Sequence, residues 1–244
     1  MQLFGYSERG ALNALFNEIA YSGSPDALLS SMLGSARFPM RHDESTSVVK
    51  SHILVEQSLS DFGDADAIML LETRGTPRAV FLEAKVKPTQ TAAWTIEQEF
   101  QKFLDGTASQ VSSSNLFTQL YHKVRFVEGL RRGGIELLQR GIPFPPSSTR
   151  ATRKIGRNGV VLRAVALILP YIEDVRYLAV VPDSPDHVSA FFTSGLSSAP
   201  PPGYQGWDVR NYGYLCWSDI DRFCHAHGLT NTCRVFEFNK GQIY

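Results

Sequence analysis

Four charged side chains crowd the stretch DADAIMLLETRGTPRAVFLEAKV, residues 64–86: Asp64, Asp66, Glu83 and Lys85. Glu83 and Lys85 alternate with Leu82, Ala84 and Val86, and charges in so apolar a strand need partners. Two apolar runs, 66–73 and 78–86, flank Arg74-Gly75-Thr76-Pro77, whose Gly and Pro signal a hairpin. A turn centred between Gly75 and Thr76 predicts Asp66 opposite Lys85 and Ile68 opposite Glu83. Alternation then places Asp66, Glu83 and Lys85 on one face, with Ala67, Met69, Leu71, Val80, Leu82 and Ala84 on the other. In that register Asp66 and Glu83 are diagonal neighbours able to share one bound cation. A pair of carboxylates suits Mg²⁺, a hard cation that takes oxygen ligands, and Mn²⁺ can substitute for it. Such a metal polarises a phosphate oxygen and lowers the pKa of a bound water. A lysine beside it orients that water and stabilises the charge of the transition state. The chemistry expected from these residue types is hydrolysis of a phosphodiester.

Several elements must hold this group in place. Residues 7–22 read as a helix, with Ala11, Leu12, Leu15, Phe16 and Ile19 in one apolar stripe. A second helix is expected from Ser24-Pro25 to about Gly34. Residues 46–59 are rich in strand formers. Helices are expected over 93–104 and 114–131, the latter carrying Gln119 and Lys123 one turn apart. A Pro/Ser/Arg-rich loop spans 141–158 and another loop 195–206. Strands are expected near 160–169, 176–181, 212–217 and 233–238, with a helix between the last two. The pattern is a mixed α/β domain with a central sheet.

Asp66-Ala67-Ile68-Met69, the turn, and Phe81-Leu82-Glu83-Ala84-Lys85-Val86 together resemble the PD-(D/E)XK nucleases, the restriction-endonuclease-like superfamily. Glu83-Ala84-Lys85 is the only Asp/Glu-x-Lys in the chain. The resemblance covers roughly residues 1–130. Ala65 stands where the family usually has Pro, and Asp64 competes with Asp66 for the strand-opening acid. The resemblance implies an α/β fold whose mixed central β-sheet is flanked by helices. Residues 1–135 would form the nuclease-like core, and 136–244 the remainder of that domain or an appended α+β extension. It further implies a Mg²⁺-dependent nuclease acting on DNA. Glu8, Asp66 and Glu83 would hold the metal, with the Ala84 carbonyl as a further ligand. Glu8 is the first-helix acid matched to the family's, and Glu18, ten residues on, is the weaker match. Lys85 would position water, and Gln119 and Lys123 would assist at the substrate. A homodimer is an arrangement open to such nucleases. Two other readings stand beside this one: a catalytically silent nucleic-acid-binding or scaffold module on the same fold, and a structural hairpin in an unrelated α/β protein.

Charge distribution bears on the partner. The chain has 24 basic and 24 acidic residues, yet residues 119–163 hold ten basic side chains against Glu128 and Glu136. A local field of that sign is what a polyanion feels. Lys123, Arg150, Arg153, Lys154 and Arg157 are the candidate nucleic-acid contacts, with Thr149, Thr152 and Asn158 as further donors. No run approaches a membrane span, the opening MQLFGYSERG does not read as a signal peptide, and a cytoplasmic setting is expected. Cys216, Cys224, His225, His227 and Cys233 match no common zinc spacing and read as packing residues.

Overall fold

The hairpin forms in the computed structural model, which describes residues 7–41, 47–88, 93–105, 114–144, 150–196 and 204–243. Strand β1 (Val48–Ser58) pairs antiparallel with β2 (Asp64–Thr73), and β2 with β3 (Arg78–Ala84). Ile68 lies opposite Phe81 and Leu71 opposite Arg78, so the pairing is two residues from the register expected. Moving the turn centre by a single residue shifts each partner by two, and the faces are therefore kept. Ala67, Met69, Leu71, Val80, Leu82 and Ala84 all pack in one apolar layer, while Ile68, Leu70, Ala79 and Phe81 pack in the other.

Two further strands complete the sheet. Strand β6 (Asp174–Val181) runs parallel to β3, and β7 (Tyr212–Cys216) parallel to β6, giving the order β1-β2-β3-β6-β7. The C-terminal half thus supplies strands to the same sheet. A separate two-stranded ribbon, β4 (Ile142–Pro143) with β5 (Thr152–Arg153), opens the basic loop. Thr149 and the rest of 145–149, as well as 197–203 of the second expected loop, lie outside the described residues.

Helices cover both faces. One layer contains α1 (Ser7–Ala20), α2 (Pro25–Gly34), α7 (Trp217–His227) and α8 (Thr230–Phe238); the other contains α3 (Ile96–Asp105), α4 (Leu116–Arg140), α5 (Gly159–Ile168) and α6 (Pro185–Ala190). The result is an α/β fold with a five-stranded mixed sheet between helices. The helical backbone of α4 breaks at Gly133 and Gly134, close to where the sequence predicts its end.

Two segments differ from expectation. The run near 160–169 is the helix α5: Asn158 caps it by accepting from the Val160 amide at 2.8 Å, and Val161, Ala164, Val165 and Ile168 are its buried face. Residues 233–238 belong to α8, whose first amides are received by Glu18: Thr232 N donates to Oε2 at 2.8 Å and Asn231 N to Oε1 at 3.1 Å. Both are short and largely apolar, and such runs suit either period.

Candidate metal centre

Asp66 and Glu83 meet where the ends of β2 and β3 pass between α1 and α4. The ladder between β2 and β3 ends at Ala67 opposite Leu82, one step short of Asp66 and Glu83, and the Asp66 charge is felt at Glu83. Asp66 Oδ2 accepts the Ala84 amide at 2.8 Å, which fixes the carboxylate against the neighbouring strand. Its Oδ1 faces Arg9 Nε of α1 at 3.9 Å. Asp64, the competing acid, is exposed at the start of β2, whereas Asp66 is buried.

Glu83 is fully buried, and neither of its carboxylate oxygens receives a well-directed hydrogen bond. Oε1 has an ion-pair partner in Lys123 Nζ at 2.8 Å, while Oε2 meets no donor. Buried carboxylate oxygens in native proteins are ordinarily hydrogen-bonded, and Oε2 is an exception among the described residues. Burial is the main influence on its acidity: it pushes the carboxyl up to about 7, against the opposing pull of Lys123 and with the help of the Asp66 charge. Asp66 is raised too, first by burial and further by Glu8, with the Ala84 amide and Lys85 acting the other way.

Lys85 is held at three points. Its amide donates to the Val180 carbonyl of β6 at 2.8 Å, its carbonyl accepts the Trp217 indole N–H at 2.7 Å, and its ammonium donates to Gln119 Oε1. Gln119 sits on α4, one turn past the cap at Asn115. The Asn115 side chain accepts from Thr118 N at 3.0 Å and donates to the Glu99 carbonyl at 2.7 Å, locking α3 to the start of α4. One turn on, Lys123 lies wholly inside the protein. Its Nζ donates to the carbonyls of Asp64 at 2.8 Å and Phe62 at 3.3 Å besides meeting Glu83. Lys123 therefore cannot be the surface phosphate contact the sequence suggests.

Glu8 is half-buried, and its charge is felt at Asp66. It does not join Asp66 and Glu83 in a tight three-ligand group. Among the described residues the trio that brings three ligand atoms within 4.8 Å of one another is Glu97, Asp183 and His187. There, His187 bridges Asp183 at 2.9 Å and Glu97 at 3.1 Å, and Asp183 accepts the Ile96 amide at the start of α3. Nδ1 is hydrogen-bonded to Asp183, whereas the approach of Glu97 to Nε2 is not a well-directed hydrogen bond. Cys216 and Cys224 are buried apart from any such group, and burial raises both thiols.

The basic loop is fastened to the turn that leads into β2. Arg150 pairs with Asp61, Arg153 donates to the Asp61 carbonyl and stacks over Phe144, and Gly156 N donates to Ser60 Oγ at 2.9 Å. Arg140, Lys154 and Arg157 line one open groove with Gln139 and Glu136. Arg125 and Arg131 are turned inward, to the carbonyls of Pro143 and Ile172.

Three contributors escape a reading of the sequence. Trp217 lies 132 residues from the Lys85 carbonyl it holds. Arg9 and Glu56 join the rim, Arg9 lying between Asp66 and Glu56, while Asn13 donates to Glu56 at 2.5 Å. Only Arg9, next to Glu8 on the same helix, carried a local signal. Comparisons with protein-family models, curated proteins and solved structures return no match.

Proposed function

We propose that the protein is a Mg²⁺-dependent nuclease of restriction-endonuclease-like fold, hydrolysing phosphodiester bonds in DNA. The observation that carries this reading is Glu83, a buried carboxylate with an unmet oxygen, near enough to Asp66 to feel its charge and two residues from a lysine with a fixed ammonium. Donors of this kind fit a hard divalent ion: carboxylate oxygens in an incomplete protein shell. Asp66 and Glu83 would hold it, with the Ala84 carbonyl available as a neighbour. When bound, it supplies Lewis acidity at a phosphate oxygen and a water of lowered pKa.

The chain's own groups supply the rest. Gln119 aims the Lys85 ammonium, whose backbone is pinned on both sides, so its charge is preorganised for the phosphate. Glu8 adds negative charge beside Asp66, which strengthens cation binding. Arg140, Lys154 and Arg157 give a basic groove on the loop that docks against residues 60–61, just before β2. Phosphate contacts there would orient the strand without reading its sequence.

Plasmid and single-stranded DNA incubated with Mg²⁺ test the proposal. Asp66→Asn, Glu83→Gln and Lys85→Ala should each lower cleavage by at least about a hundredfold, the scale of losing one preorganised electrostatic group. Circular dichroism should show the fold intact. Salt-sensitive DNA binding with no cleavage by the parent would favour the silent module instead.

A further inference from the structure

We infer that Lys123 is a built-in cation of this centre, so that Asp66 and Glu83 together hold one divalent ion and not two. This rests on the reading of the site as a metal-dependent phosphodiesterase. Three oxygens surround the Lys123 ammonium: Glu83 Oε1 at 2.8 Å, the Asp64 carbonyl at 2.8 Å and the Phe62 carbonyl at 3.3 Å. One carboxylate and two carbonyls are the kind of oxygen set a hard divalent ion takes. The ammonium donates to the two carbonyls and is ion-paired with the carboxylate, so its charge is met on three sides.

The pocket is shaped for it. Lys123 has no exposed surface, so it cannot reach a polyanion outside. Gly63, between the two accepting carbonyls, would place a Cβ 3.4 Å from Nζ, and its φ of +77° suits glycine. The lysine arrives from α4, one turn beyond the Gln119 that holds Lys85. The two ammonium groups are thus assigned different partners, one to the interior side of Glu83 and one to Gln119.

Counting the remaining oxygens gives the stoichiometry. Glu83 Oε1 faces Lys123, leaving Oε2. Asp66 Oδ2 accepts the Ala84 amide, leaving Oδ1, which has only the half-exposed Arg9 guanidinium at 3.9 Å. Paired-ion centres set the metals about 3.5–4 Å apart and rely on shared oxygen ligands. With its interior side taken by an ammonium, Glu83 cannot bridge two ions through its two oxygens. Lys123 is a positioning residue: it fixes the Glu83 rotamer and offsets charge without touching substrate.

Mn²⁺ titration of the full chain, without nucleic acid, tests this by calorimetry and electron paramagnetic resonance. Sites are counted as those lost on Glu83→Gln, which cancels any ion taken by Glu97, Asp183 and His187. The parent should lose one Mn²⁺ per chain, with the spectrum of an isolated ion. Folded Lys123→Ala should lose two, with exchange coupling between them. A loss of two in the parent overturns the inference while leaving the nuclease reading standing. So does a loss of only one in folded Lys123→Ala. No loss at all overturns both. If Lys123→Ala does not fold, the parent's count and spectrum still decide.

Discussion

Burial holds the Glu83 carboxyl near pH 7 although an ammonium lies beside it, and that balance makes the centre pH-dependent. The unfolded group titrates at its ordinary value of 4.5. Between there and about 7 the folded chain keeps a proton that the unfolded chain has lost. The stability this group contributes is therefore complete below about 4.5 and is lost as pH rises through about 7. The proposed cation would need the carboxylate, so the two effects would run in opposite directions. Mn²⁺ affinity should climb about tenfold per pH unit up to roughly 7 and then level, while the metal-free protein loses stability over the same window. Calorimetric titrations and urea melts from about pH 5 to 8 measure both, and both slopes should vanish in Glu83→Gln. A flat affinity profile in the parent would show that Glu83 is not a ligand. At this scale the sequence was informative for Asp66, Glu83, Lys85 and Gln119, whose types and strand or helix positions already suggest a shared site. It was misleading for Lys123. A lysine in a basic run reads as surface charge, and only the fold reveals the three oxygens that bury it.

The elements carrying the site were mostly legible because their patterns are strong. The stripe of α1, the two apolar runs of the hairpin and the cap-to-lysine face of α4 each follow one period. The hairpin register was not, because the loop is longer than a tight turn. Thr73 Oγ1 accepts the Gly75 amide and donates to the Thr76 carbonyl, so turn residues bond among themselves and do not fix the strand pairing. The short apolar segments α5 and α8 were misread for lack of a distinguishing period, and the cap on α8 comes from Glu18, more than 200 residues earlier. The link between β1 and β2 depends on Gly63, with φ 77° and ψ 173°, a region essentially reserved for glycine. Gly63→Ala should cost about 1–3 kcal/mol, read as a lowered urea midpoint. Mn²⁺ affinity should also fall, since the Phe62 and Asp64 carbonyls move with this turn. An unchanged midpoint would mean the turn adapts without strain.

Across the whole molecule, zero net charge conceals a basic segment that is only partly directed outward. Arg125, Arg131, Arg150 and Arg153 bond within the protein, while Arg140, Lys154 and Arg157 line one groove. Composition could locate the positive segment but could not say which side chains the fold would bind internally. Each duplex phosphate contact contributes about 0.9 to the slope of log affinity against log salt. Replacing Arg140, Lys154 and Arg157 together by alanine should flatten that slope by up to about 2.7, measured by fluorescence anisotropy on duplex DNA. An unchanged slope would place the nucleic acid elsewhere. The central claim concerns a narrower region, the gap between two carboxylates at the ends of adjacent strands. Crystals soaked in Mn²⁺ and measured for anomalous scattering examine it directly. The account predicts an anomalous peak between Asp66 and Glu83, absent in Glu83→Gln; no peak there, or one confined to Glu97, Asp183 and His187, would contradict it.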